Sequence, residues 1–168
     1  VDRIMVVAGS GDLAQRGQQV LLLDNDNRLS TGSRAICFAK RTLEIWDRLN
    51  VGAPMCAKGV EWNVGKVFFK DRQLYAFDLL PEPGHERPAF INLQQYYAEA
   101  YLAVRAAELP GIQIRWNNTV ASVEQTDDGV LLGIDTPDGR YSIRADHVAA
   151  CDGSRSPLRA LLGHESKG

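Results

Sequence analysis

The chain has 168 residues, 45% hydrophobic and 24% charged, with 19 basic and 21 acidic side chains and a net charge of -2. A chain this long can bury roughly 70% of the surface it exposes when unfolded, enough for one domain with a core, and the composition excludes collagen-like and disordered classes. Near-neutral charge leaves no electrostatic footprint for nucleic acid, and no apolar run approaches the ~20 residues of a membrane helix.

Val1-Asp2-Arg3 leads straight into apolar residues without a cleavage-type sequence, so no secretory signal is expected. Cys37, Cys56 and Cys151 are an odd set with no Cys-x-x-Cys spacing, which reads as reduced, buried thiols in a cytoplasmic protein. His85, His147 and His164 are scattered, so no metal site is expected.

Residues 4–8 are a continuous apolar run, as in a strand buried on both faces of a parallel sheet. Gly9, Ser10 and Gly11 follow, then a short polar helix over 12–16 and Gly17. Residues 20–24 form a second buried strand ending in Asp24, and 25–33 a polar loop. Apolar residues at helical spacing predict an amphipathic helix over 34–49. Residues 59–69 and 73–77 read as strands flanking an Asp71-Arg72 turn. The proline-rich stretch 79–88 reads as a loop, and 92–109 as the longest helix, stopped by Pro110-Gly111. Residues 112–116, 119–125, 130–136 and 141–144 alternate around turns at Asp127-Asp128-Gly129 and Pro137-Asp138-Gly139, predicting an antiparallel meander over 112–145. A short buried strand, 147–150, then leads through a Gly/Ser loop into a last helix, 156–162. Parallel strands with helices between them and an inserted meander indicate an α/β, Rossmann-like domain.

Four segments could carry chemistry. A dinucleotide fold needs glycines after its first strand, where the chain turns and a pyrophosphate approaches bare backbone amides. Gly9, Gly11 and Gly17 supply such glycines, and Asp24 could accept hydrogen bonds from ribose hydroxyls. The connection is short, however, by roughly a turn or two of helix relative to a working βαβ unit. Two core strands joined by a glycine turn are the alternative. Asp152, Gly153 and Arg159 lie in a second segment, Cys151 to Arg159. There Ser156 suits an N-cap, Pro157 the first helical position, and Arg159 an anion; a well-capped turn is the alternative. Arg34, near a helix start, could hold a phosphate or flavin edge, or lie on a solvated face. The Gln95 amide can both donate and accept, or serve as a polar cap.

Together these stretches resemble the FAD-dependent aromatic hydroxylases, the para-hydroxybenzoate hydroxylase-like flavoprotein monooxygenases, and among them the 3-(3-hydroxyphenyl)propionate hydroxylases. The resemblance is carried by Gly17 through Leu23 to Asp24, by Ser33-Arg34-Ala35-Ile36 running on to Trp46, by Gln95 with Glu99 and Leu102, and most specifically by Cys151-Asp152-Gly153-Ser154-Arg155-Ser156-Pro157-Leu158-Arg159. It implies an FAD cofactor, NADH or NADPH as co-substrate, O2, and a small phenolic substrate, with self-association as a homo-oligomer left open. It implies that Asp24 binds the adenosine ribose, Arg34 contacts FAD, and Gln95 approaches the flavin-ribityl region. Asp152, Gly153 and Arg159 would hold the dinucleotide region where reduced nicotinamide docks, with Gly9 and Gly11 the remains of the pyrophosphate turn. It divides the chain into a first FAD-binding segment (1–58), a substrate-layer segment (59–91) and a second FAD-binding segment (92–168). No second Gly-Asp motif follows Arg159, so the chain is expected to be an N-terminal part, incomplete for turnover. Two other readings fit the same residues: another FAD or NAD oxidoreductase on this scaffold, and a non-catalytic truncated fragment.

Overall fold

The computed structural model describes residues 2–29, 32 and 34–165; Ser30, Thr31 and Ser33 of the expected polar loop lie outside the described residues. In chain order the elements are α1 (Asp2–Gln15), β1 (Val20–Leu23), β2 (Cys37–Ala39), α2 (Lys40–Arg48), α3 (Gly52–Lys58), β3 (Val60–Trp62), β4 (Val64–Phe69), β5 (Arg72–Asp78), β6 (Phe90–Asn92), α4 (Gln95–Glu108), β7 (Ile112–Arg115), β8 (Thr119–Thr126), β9 (Gly129–Thr136), β10 (Gly139–Ala145) and α5 (Pro157–Leu161). This is the expected mixed α/β fold, with a parallel pair and antiparallel sheets. The chain divides into two compact units, Val1–Leu29 with Ala106–Gly168, and Ser30–Arg105.

In the first unit β1 and β7 pair in parallel, Val20 opposite Ile112 and Leu23 opposite Arg115. The expected meander therefore loses its first strand: β7 joins β1, and the antiparallel sheet is β10-β9-β8, closing on Leu132 and Ile134. The alternation of residues 112–116 could not reveal which partner they take, because a period of two marks a strand and not its neighbour.

The largest correction is at the start. Residues 4–8 are helical, not a strand, and Gly9 and Gly11 lie inside α1 rather than in a turn. Only the 11 residues 9–19 separate the apolar run from β1, short of the roughly dozen or more that a parallel strand-to-strand crossover needs. One continuous helix uses those residues without the crowded crossover. Its end is well made: Gly17, at φ +82°, follows the last turn, with Gly17 N–H donating to the Ala14 carbonyl and Gln18 N–H to that of Leu13. That is a Schellman cap, which glycine enters without a Cβ penalty.

A second correction follows from the first. Residues 147–150 form no strand and are exposed. In a doubly wound sheet of order 3-2-1-4 the first strand lies between the second and the fourth. With residues 4–8 helical, the strand that 147–150 would pair with is missing.

The second unit holds most of the buried apolar side chains. Leu43 and Trp46 of α2, Met55 of α3, Ile91 of β6 and Leu102 of α4 are each at most 1% exposed. Phe38 packs against Trp46 with ring centroids 4.9 Å apart and planes tilted by 55°. The expected helix over 34–49 is shorter, because Cys37 to Ala39 pair antiparallel with β6 and Ile36 is exposed. Tertiary pairing here overrides helical periodicity. The expected strand 59–69 is two strands in different sheets, β3 on β6 and β4 on β5. Asn63 makes the switch: its side-chain oxygen accepts Ala89 N–H at 2.9 Å and its carbonyl accepts Leu79 N–H at 3.0 Å. The reading of 92–109 as helix trims to α4, Asn92 belonging to β6, and α3 had no sequence signal beyond its length. Cys56 is buried as expected, but Cys37 and Cys151 are exposed.

Candidate functional site

Asp24 follows the last residue of β1, at the carboxyl end of the parallel pair, where open α/β sheets bind their ligands. Its N–H donates to the Arg115 carbonyl at 3.1 Å and its carbonyl accepts Asn118 N–H at 2.9 Å. Carboxylate Oδ1 accepts Asp26 N–H at 2.9 Å, an Asx turn that carries the chain away from the strand. Arg115 Nη1 donates to the Tyr141 hydroxyl at 3.0 Å, and that hydroxyl donates to Asn118 Oδ1 at 2.5 Å. Arg115, Asn118 and Tyr141 thus brace this end of the sheet. No motif announced them; the pairing of β1 with β7 brings them there.

The Asp152 segment folds as a closed turn. Asp152 Oδ1 accepts the Ser156 hydroxyl at 2.5 Å and Oδ2 accepts Leu158 N–H at 3.0 Å. Ser156 Oγ in turn accepts Arg159 N–H at 2.9 Å, capping α5, with Pro157 at its first position as expected. The Arg159 guanidinium donates back to the Ser154 carbonyl. Gly153 sits at φ +88°. Partial burial opposes ionisation of Asp152, but the Ser156 hydroxyl, the Leu158 and Asp152 N–H groups and the Arg159 charge outweigh it, holding the carboxyl below its ordinary range. Asp152, Gly153 and Arg159 are brought together.

In the other unit, Gln95 opens α4 and is 3% exposed. Its Oε1 accepts the backbone N–H groups of Arg34 at 3.2 Å and Ala35 at 3.1 Å, and its Nε2 donates to Glu99 Oε1 at 2.7 Å. The amide therefore donates and accepts at once. Arg34 and Gln95 meet, with the Arg34 side chain exposed. Glu99 is the residue that motif reading named without a role; its spacing of four from Gln95 places both on one helix face.

Gly9 and Gly11 answer differently. Inside a helix their N–H groups donate to carbonyls four residues back. A Cβ built on Gly9 would meet nothing within 4 Å, so no close cradle forms there. Gly9 and Gly11 thus form no turn that presents backbone amides to a pyrophosphate, whereas Asp24 lies at a sheet end and Asp152 in a capped turn. Among the described residues no three His, Cys, Asp or Glu side chains could share a metal ion, and no helix is long and apolar enough to cross a membrane.

Residues 7–168 match the family described as FAD binding domain. The chain is similar to para-nitrophenol 4-monooxygenase of Pseudomonas sp. (strain WBC-3), 27% identical over 178 residues, covering 97% of this chain and 43% of that protein. It is 30% identical over 157 residues to a probable NADH-specific resorcinol 4-hydroxylase of Rhodococcus jostii (strain RHA1), covering 91% of this chain and 29% of the relative. The crystal structure of p-nitrophenol 4-monooxygenase PnpA from Pseudomonas putida DLL-E4 superposes with a TM-score of 0.86 at 25% identity, covering 95% of this chain and 41% of that one. The chain spans less than half the length of each of these proteins. The fold, the carboxyl-end position of Asp24 and the near-complete match lead to one conclusion: this chain belongs to the FAD binding domain family, whose cofactor is FAD.

Proposed function

We propose that this chain is the FAD-binding part of a flavin-dependent monooxygenase that hydroxylates a phenolic aromatic compound, consuming NAD(P)H and O2 and releasing NAD(P)+ and water. One observation carries the reading: the match to the FAD binding domain family covers residues 7–168, and relatives aligned along nearly all of this chain are named for ring oxidation of nitrophenol and resorcinol. Bound FAD supplies the redox chemistry, taking electrons from the nicotinamide and activating O2 for transfer of one oxygen atom to the ring. The side chains hold and orient. Asp24 accepts hydrogen bonds from the adenosine ribose, Arg34 contacts FAD, and Gln95 lies toward the flavin-ribityl region. Asp152, Gly153 and Arg159 hold the dinucleotide region and dock the nicotinamide. Residues 59–91 are the first piece of the substrate layer, between FAD-binding segments 1–58 and 92–168, and the protein works in the cytoplasm. Gly9 and Gly11 serve the pyrophosphate only if residues 2–15 leave the helix.

That last point favours a second reading, a non-catalytic remnant whose glycine turn has been lost. The complete protein separates the two. A yellow preparation whose oxygen uptake matches a hydroxylated phenol supports the monooxygenase. Substrate dehydrogenation without oxygen incorporation would move it to another flavin oxidoreductase class. A colourless protein that ignores added FAD would leave the remnant.

A further inference from the structure

Gln95 and Glu99 are two buried polar side chains, 3% and 2% exposed, one helical turn apart at the head of α4. The β2–β6 ladder leads up to the first. Phe38 lies opposite Ile91 and Cys37 opposite Asn92, and Leu93 N–H then donates to the Ile36 carbonyl at 2.7 Å. Beyond Leu93 the chain turns into α4, and the Gln95 side chain follows the last backbone pair of the ladder. Gln95 Oε1 receives the N–H groups of both Arg34 and Ala35, extending the ladder with a side-chain carbonyl.

A primary amide has two nearly isosteric orientations. One presents oxygen to the two N–H groups; the other sets its NH2 against them, donor facing donor. Glu99 decides between them. Its Oε1 lies 2.7 Å from Gln95 Nε2 and accepts from it. With that acceptor in place the amide nitrogen faces Glu99, and the oxygen faces residues 34 and 35.

We propose that Glu99 is a positioning residue which, through the Gln95 amide, fixes the backbone of Arg34 and Ala35 and so sets the point from which the Arg34 guanidinium reaches FAD. The reach to FAD rests on the function proposed above; the hold on residues 34 and 35 does not. Hydrogen exchange of the Arg34 and Ala35 amides, measured beside FAD titration by flavin fluorescence, tests both. Glu99→Leu should speed exchange at both amides at least about tenfold, since it frees the buried amide to misorient. Glu99→Gln keeps an acceptor for Gln95 and should stay within about threefold of the parent. Gln95→Glu sets two carboxylates together and should exchange fast. The exchanged pair Gln95→Glu with Glu99→Gln restores one donor and one acceptor and should recover protection, so the test survives a Glu99→Leu chain that fails to fold. Parental protection in Glu99→Leu, or a double variant as fast as Gln95→Glu alone, overturns the proposal. Where the parent binds FAD, its Kd should rise in the same order as exchange. A parent that binds no FAD but shows the expected exchange order sinks the flavin reading and leaves the positioning role standing.

Discussion

Arg87 grips both oxygens of Asp47: Nε–H donates to Oδ2 at 2.7 Å and Nη2–H to Oδ1 at 2.5 Å. The pair fastens the segment before β6 to the last turn of α2, and both side chains are mostly covered, 18% and 29% exposed. Hydrogen bonding to Asp47 raises the guanidinium pKa against the opposing effect of burial, so Arg87 stays charged throughout the working pH range. A lysine could offer only a point charge to one oxygen. Arg87→Lys should cost about 1 kcal/mol and Arg87→Ala about 2 kcal/mol, below the range for fully buried pairs because water reaches this one. The urea midpoint at unchanged m-value reads the loss. A midpoint that does not move in Arg87→Ala would show the grip to be dispensable.

Gly52 begins α3 directly beside that pair. A Cβ built on it would fall 2.0 Å from Asp47 Oδ1 and 3.0 Å from the Asp47 backbone nitrogen. Because Arg87 holds the carboxylate in place, it cannot swing clear without breaking the grip. Gly52→Ala should destabilise by about 1–3 kcal/mol, the range for overpacking. Part of that cost should vanish in an Asp47→Ala background, where only the backbone contact remains. Equal costs in both backgrounds would show that the carboxylate is not the obstacle.

What the sequence made legible were features with local physical causes. The Ser156-Pro157 cap stood where the residue types required it, and both meander turns fell at their glycines. Gln95 was legible as an amide able to donate and accept, but its partners at Arg34 and Ala35 lie about sixty positions away, set by the β2–β6 register. Pairing choices of this kind decided the misses: β7 chose β1, residues 37–39 chose β6, and Asn63 divided one apparent strand between two sheets. The shortened connection before β1 was visible from spacing. Its consequence, a helix in place of the first strand and no partner for residues 147–150, was not.

The edge of β1 tests that consequence. Val20 N–H donates to the Gly111 carbonyl and Asp24 N–H to that of Arg115, so alternate donors of β1 face β7. Leu21 and Leu23 N–H then point to the opposite edge, where the two-stranded sheet has no further strand among the described residues. Hydrogen exchange should protect Leu22 and Asp24 strongly and leave Leu21 and Leu23 at least about tenfold faster. Protection at all four would mean that a strand occupies that edge, with residues 4–8 the segment of suitable character.

Asp152 gives the pH dependence. Its folded pKa lies below the unfolded value, so the stabilisation is fully present above the unfolded pKa, about 3.9, and is lost as pH falls through the depressed folded value. Asp152→Asn keeps one oxygen to accept Leu158 N–H, with an NH2 toward Ser156 Oγ, but cannot titrate. The stability gap between the parent and Asp152→Asn should stay constant from about pH 5 to 8 and close below about pH 4. A gap that widens in acid would reverse the sign and with it the account of the Asp152 hydrogen bonds. In the complete protein Asp152→Ala should also lower the flavin retained through purification. Asp152→Asn separates the causes, because it spares the turn while removing the charge: retention lost in Ala but kept in Asn assigns the effect to the turn, and retention lost in both assigns it to the carboxylate itself.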